Sequence, residues 1–256
     1  MNKRQRFYLT SFLLCLLAAV APIKSGGATK TGLYKLQQDD FYIAATKLLQ
    51  AHVEEGLVNY KALQQEKAKL QRLVQQISSY NLQHAPASER KAFYLNAYNL
   101  LVLQQVLAHY PIKSVMEVPG FFDKQLFRVA GEKLTLNQLE KQKLMVPFKD
   151  ARVHFALVCA AKSCPPLPDR AYIPAQVEEQ LEAQAKRALQ DPSFIKVRPE
   201  EKKVLLSEIF KWYKADFIQQ APSIPAYINR FRSYALPPGY TFRYYTYNWG
   251  LNDSSR

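Results

Sequence analysis

Apolar residues recur at helical spacing early in the chain: Phe41, Ile43, Ala44, Leu48, Leu49 and Val53 within residues 38–55, then Leu63, Leu70, Leu73, Val74 and Ile77 within 61–79. Each stretch predicts an amphipathic helix, and Gly56 between them predicts a turn. The next stretch departs from that pattern. In SERKAFYLNAYNLLVLQQVLAHYP the residues from Ala92 to Leu107 are apolar nearly all round, which predicts a helix buried on most sides, capped by Ser88 and stopped by Pro111. Asn96 and Asn99 interrupt the apolar run three residues apart, hence on one face, each with four hydrogen-bonding valences to satisfy away from water.

Further on, LFRVAGEKLTL alternates about Gly131 and predicts a hairpin, after which Thr135 can cap a helix over LNQLEKQKL. Residues 152–159 alternate as a strand should, with Val153, Phe155, Leu157 and Cys159 on one face and Arg152, His154, Ala156 and Val158 on the other. Helices are expected at 175–190, 207–218 and near 223–233, with a short strand at 204–206 and a Tyr-rich terminal strand at 240–247. With no fixed-period repeat and no low-complexity linker after residue 30, the pattern predicts one helix-rich α+β domain over 31–256. In it a buried central helix packs on a small, mostly antiparallel sheet.

The opening MNKRQRFYLTSFLLCLLAAVAPIKSGGATK changes where that domain is expected to work. A basic start at Lys3, Arg4 and Arg6, an apolar run from Phe7 to Pro22 and small residues at 25–28 read as a secretory signal over 1–28. Its apolar run, about 16 residues, falls short of the ~20 that span a bilayer, so export to the periplasm or beyond is favoured over an uncleaved anchor. Removing residues 1–30 takes five basic residues and no acid, lowering the net charge from +14 to about +9. The remaining basic residues are scattered among acids with no nucleic-acid motif, which points to weak attraction to an anionic envelope or membrane surface instead of to nucleic acid. No motif calls for a cofactor.

Export sets the reading of sulfur. Without Cys15 the chain holds Cys159 and Cys164, in a compartment where disulfides persist. Bonded to each other, they would close a small loop and stabilise it by roughly 2 kcal/mol. As a nucleophile Cys164 is the better choice, because Pro165 and Pro166 place it in a turn at the strand end where a base can reach it. A metal site would draw on His154, Cys159, Cys164 and Glu140, but that spacing matches no common zinc pattern. His52, His84 and His109 fall at helix ends or in a loop and are expected to face solvent or cap helices.

The segments AFYLNAYNLLVL, LTLNQLEK, RVHFALVCAAKSCPPL, IFKWYKADF and YNWGLN stand in the order found in the domain of unknown function 547 family, which the chain resembles over roughly Val58 to Asn252. The family's recurring positions fall here on Asn96, Tyr98, Asn99, Glu140, His154, Cys159, Cys164, Pro165, Asp216 and Trp249. A histidine that commonly follows the glutamate is replaced by Lys141. The resemblance implies exported bacterial relatives and, through relatives that also carry a glutaredoxin domain, hints at thiol chemistry. A buried helix packed on strands is also distantly similar to papain- and transglutaminase-like folds, although this helix has no cysteine at its start.

Two functional readings follow. In the first, a thiol-dependent hydrolase, transferase or redox enzyme uses Cys164 as nucleophile and His154 as base. Glu140 or Asn96 would orient the imidazole and Asn99 would serve as an oxyanion donor. The substrate would be an amide, thioester or disulfide of a small molecule or peptide. In the second, a non-catalytic envelope protein binds such a ligand in a pocket lined by Tyr and Asn, above a structural Cys159–Cys164 disulfide.

Overall fold

The computed structural model describes residues 30–255, with side chains described from Asp40 onward. The expected signal segment therefore lies outside the described residues. The chain opens with α1 (Lys30–His52), a two-residue hairpin of β1 (Val53–Glu54) and β2 (Leu57–Val58), α2 (Tyr60–Gln65), α3 (Lys67–Ser79) and the long α4 (Ala87–His109). The buried stripe of α1 is Phe41, Tyr42, Ala45, Leu48 and Leu49, whereas Ile43 is exposed, so the stripe is rotated from the expected one. The expected second helix is broken at Glu66, which caps α2 and opens α3. His52, expected to face solvent, is buried, with Nε2 3.0 Å from a Glu66 carboxylate oxygen.

α4 is the central helix. From Lys91 to Leu103 every residue is buried, because α3, α8 (Val177–Gln190) and the helical segment after Thr135 cover it on separate sides. It starts one residue before Ser88, with Pro86 at the cap position. β3 (Phe127–Val129) and β4 (Glu132–Leu134) form the expected hairpin, turning through Ala130 and Gly131, both at positive φ. Thr135 then makes a reciprocal capping box with Gln138. The helix it starts does not stay α: α5 (Leu136–Gln138) widens into a π-helical stretch, Leu139–Met145, before α6 (Val146–Phe148) closes it.

Residues 152–159 overturn the strand expectation. Val153–Ala156 form a one-turn helix, α7, Leu157 that follows is extended, and none of 152–159 is in a strand. Alternation misled because both faces are buried, so each residue had reason to be apolar. The backbone groups that a partner strand would have satisfied are taken by amide side chains instead. Asn99 Nδ2 donates to Ala156 O (2.9 Å) and its Oδ1 accepts from Val158 N (3.0 Å). Gln184 Nε2 on α8 donates to the carbonyls of Phe155 and Pro166. Upstream, buried Lys91 pairs with Asp150 at 3.2 Å, and Asp150 also holds Arg152.

The last third holds β5 (Ile195–Arg198), β6 (Lys203–Ser207), α9 (Ile209–Trp212), α10 (Lys214–Ile218), α11 (Ile224–Asn229) and β7 (Thr241–Tyr245). β5 and β6 are antiparallel while β7 joins β6 in parallel. The fold is thus helix-rich α+β, with its strands in three separate small sheets and with helices around the central helix. Two apolar clusters make the core, one around α1, α3 and α4, the other around α8, the three-stranded sheet and α9 to α11. Val153 belongs to the first and Phe155 to the second, so α7 sits at the seam. Among the described residues no helix is long and apolar enough to cross a membrane.

Candidate functional site

A cavity of about 360 Å³ opens at that seam. Glu140, His154, Cys159 and Cys164 all line it, together with Tyr98, Lys141 and an aromatic wall of Trp212, Tyr213, Tyr247 and Trp249. Of the residues singled out from sequence, the structure brings these four together and sets two apart. Asn96 spends its amide on the carbonyls of Ala92 and Tyr172 and its oxygen on Tyr172 N, so it ties the 171–172 loop to α4. Asn99 holds α7 as described. Neither lines the cavity.

Each cavity group is placed by a distinct local device. The wide π-helical turn carries Glu140 inward, where it is 6% exposed. Burial raises its pKa, opposed by the neighbouring His154 imidazole and by the Tyr213 hydroxyl that donates to it. α7 carries His154, whose ring stacks on Tyr213 at 3.8 Å between centroids and whose Nε2 lies 2.8 Å from Asp216 Oδ2. A carboxylate accepts only, so the proton shared with Asp216 belongs on Nε2 and Nδ1 is left as the basic nitrogen. Tyr213 occupies the break between α9 and α10; that break turns its ring onto His154, and Asp216 follows three residues later on the same face.

The cysteines are bonded to each other, with their Cα atoms 6.3 Å apart. Cys164 is therefore not a free thiol here. Their loop is held from outside by the C-terminal segment: Lys162 N donates to Gly250 O (2.7 Å), Ser163 N to Asn248 O (3.2 Å), and Asn252 N to Ala160 O (3.0 Å). The Pro-Pro turn rests on the first hairpin. Gly56 stands at φ +88°, and a Cβ there would lie 2.4 Å from that of Pro166, so glycine is needed twice over. Tyr247 Oη is 3.1 Å from both sulfurs, and its ring sits 4.9 Å from that of Trp212 and 4.7 Å from that of Trp249.

Reading the residues in sequence assigned no role to Tyr213 or Trp212; Tyr247 entered only as one of the aromatics of the terminal YTFRYYTYNW segment suited to a ligand or partner surface, and Asp216 only among positions the family resemblance carried. The i, i+3 spacing of Tyr213 and Asp216 was the available signal, but nothing local marks the helix break that makes it matter. Among the described residues no group of three or more His, Cys, Asp or Glu side chains could hold a metal ion. An imidazole paired with a carboxylate, a buried carboxyl whose pKa is raised and a sulfur–sulfur bond thus border one volume.

A family model described as "Protein of unknown function, DUF547" matches residues 82–188. That span contains α4, the Glu140 turn, α7 and both cysteines, but not Asp216 or the aromatic wall. No curated protein and no solved structure matches the chain.

Proposed function

We propose that this chain, whose residues 82–188 belong to the DUF547 family, is an exported thiol–disulfide enzyme whose resting form carries the Cys159–Cys164 bond. The observation that supports this reading is that the bond and His154, whose ring Asp216 holds from behind, line one cavity. His154 takes the proton of an incoming small-molecule or peptide thiol. The thiolate attacks one sulfur of the disulfide, forming a mixed disulfide and releasing the other cysteine as thiolate; a second substrate thiol completes the exchange. A low-molecular-weight disulfide restores the resting bond by the same chemistry in reverse. A hydrolase or transferase using Cys164 would first require that the bond be reduced, so exchange is the more direct use of this site. Export agrees with the apolar N-terminal run and with persistence of the disulfide.

The native, secreted chain equilibrated in glutathione buffers of graded ratio, acid-quenched and weighed by mass spectrometry, tests the reading. We expect a reversible two-electron transition in folded protein. A bond that reduces only when the chain unfolds overturns it. The same masses report whether the N-terminal segment has been removed.

A second reading, a non-catalytic binder, draws on the aromatic wall, since Trp212, Tyr247 and Trp249 form a platform suited to an apolar or planar ligand. It predicts ligand-induced thermal stabilisation that is equal in wild type and Cys164→Ser, with turnover in neither.

A further inference from the structure

The two sulfurs are not equivalent. Tyr247 Oη stands 3.1 Å from each. In addition, the backbone N–H of Cys159 donates to Cys164 Sγ at 3.0 Å. Cys164 Sγ therefore sits between a main-chain donor and a phenol, and both would stay in place if the S–S bond were opened. The phenol is itself fixed: its backbone N–H donates to Glu208 (3.1 Å), and its ring packs against both Trp212 and Trp249. Burial raises the Tyr247 pKa, so its proton remains available for donation.

We propose that the main-chain N–H of Cys159 selects the leaving sulfur: substrate thiolate attacks Cys159 Sγ, and Cys164 departs as a thiolate received by that N–H and, as a second donor within reach of either sulfur, by the Tyr247 O–H. The electron pair of the broken S–S bond goes to Cys164, the new bond joins Cys159 to substrate sulfur, and the substrate proton goes to His154. This inference rests on the thiol–disulfide reading. Hydrogen-bond donors to a thiolate lower its pKa, and a sulfur of lower pKa is the better leaving group. Glu140 and Lys141 of the π-helical turn, His154 of α7, Tyr98 and Tyr213 line the same cavity. Glu208 faces the Tyr247 backbone, Asp216 faces His154, and Lys162 of the cysteine loop is exposed. The main-chain donation falls on Cys164 Sγ alone.

The test uses the full secreted chain, reduced with dithiothreitol and alkylated with iodoacetamide across a pH series, each cysteine followed by peptide mass. We expect the reactive midpoint of Cys164 to lie below that of Cys159. In Tyr247→Phe the Cys164 midpoint should rise by about one pH unit, the loss of one hydrogen bond to a charged group, with Cys159 moving less. Coincident midpoints, a lower midpoint for Cys159, or a Tyr247→Phe profile identical to wild type overturn the proposal. If circular dichroism shows Tyr247→Phe unfolded, the order of midpoints in wild type decides alone. The series begins from chemically reduced protein whose fold is checked by circular dichroism, so its outcome is separable from that of the glutathione titration: a native bond inert to glutathione sinks the enzymatic reading, while the order of midpoints still judges the role of the Cys159 N–H.

Discussion

The two asparagines of α4 and the pair Glu140 and His154 are both buried polar groups, and they are built to opposite ends. Asn96 makes three hydrogen bonds and Asn99 two, all to backbone groups, and neither lines the cavity. Glu140 and His154 are just as buried, yet each borders a cavity, and Glu140 keeps a raised pKa. Burial of a polar side chain therefore does not mark a site. What separates the clusters is whether the side chain is spent on backbone groups or borders open volume.

Substitutions should divide along that line. Asn99→Ala strands a buried carbonyl and a buried N–H, and at about 1–3 kcal/mol for each stranded group we expect a loss near 3 kcal/mol. Calorimetry should show a fall of roughly 6–12 °C in Tm for a domain of this size. An Asn99→Ala variant as stable as wild type would dissolve the contrast from the scaffold side. Cys164→Ser should cost about 2 kcal/mol, the constraint of a small closed loop, and should abolish exchange with glutathione altogether. Asp216→Asn, with the carboxylate partly exposed behind His154, should leave Tm nearly unchanged. It should slow exchange about tenfold and shift the pH profile of the rate, which a merely structural role would not do.

The smallest effect belongs to Glu140→Gln, and its sign is set by linkage. The unfolded carboxyl releases its proton near its ordinary pKa of 4.5, whereas the folded one holds it to higher pH. Between those two values the folded state binds more protons, so the contribution of Glu140 to stability is complete below pH 4.5 and declines as pH rises through the folded value. Denaturant melts should show Glu140→Gln at or slightly above wild type near neutral pH, with the difference between the two shrinking as the pH falls. Asp150, whose pKa is lowered overall by Arg152 and Lys91 against the cost of burial, acts in the opposite sense. It is common to both proteins and drops out of the difference.

Features encoded by short-range chemistry were legible in the sequence. The all-round apolar run gave α4, Gly131 the hairpin, and the Thr135–Gln138 spacing the capped helix. What escaped depends on distant partners. Residues 152–159 fold as a helical turn because Asn99 and Gln184 satisfy their backbone, and no alternation within the segment can report that. His52 looked like a helix-end cap until Glu66 met it across the next turn of chain. Glu140, His154 and the cysteines stood out by residue type. Asp216 and Tyr247, sixty-two residues from His154 and eighty-three from Cys164 respectively, join them only through the break at Tyr213 and the return of the C-terminal segment.

The chain's two tryptophans, Trp212 and Trp249, both line the cavity beside the disulfide, so intrinsic fluorescence reports on the state of that bond. The most direct measurement follows that emission on adding reduced glutathione to folded protein, with far-UV circular dichroism recorded alongside. The account predicts a change in emission that oxidised glutathione reverses while the dichroism stays constant. Emission that stays flat until the helical signal itself collapses would contradict it.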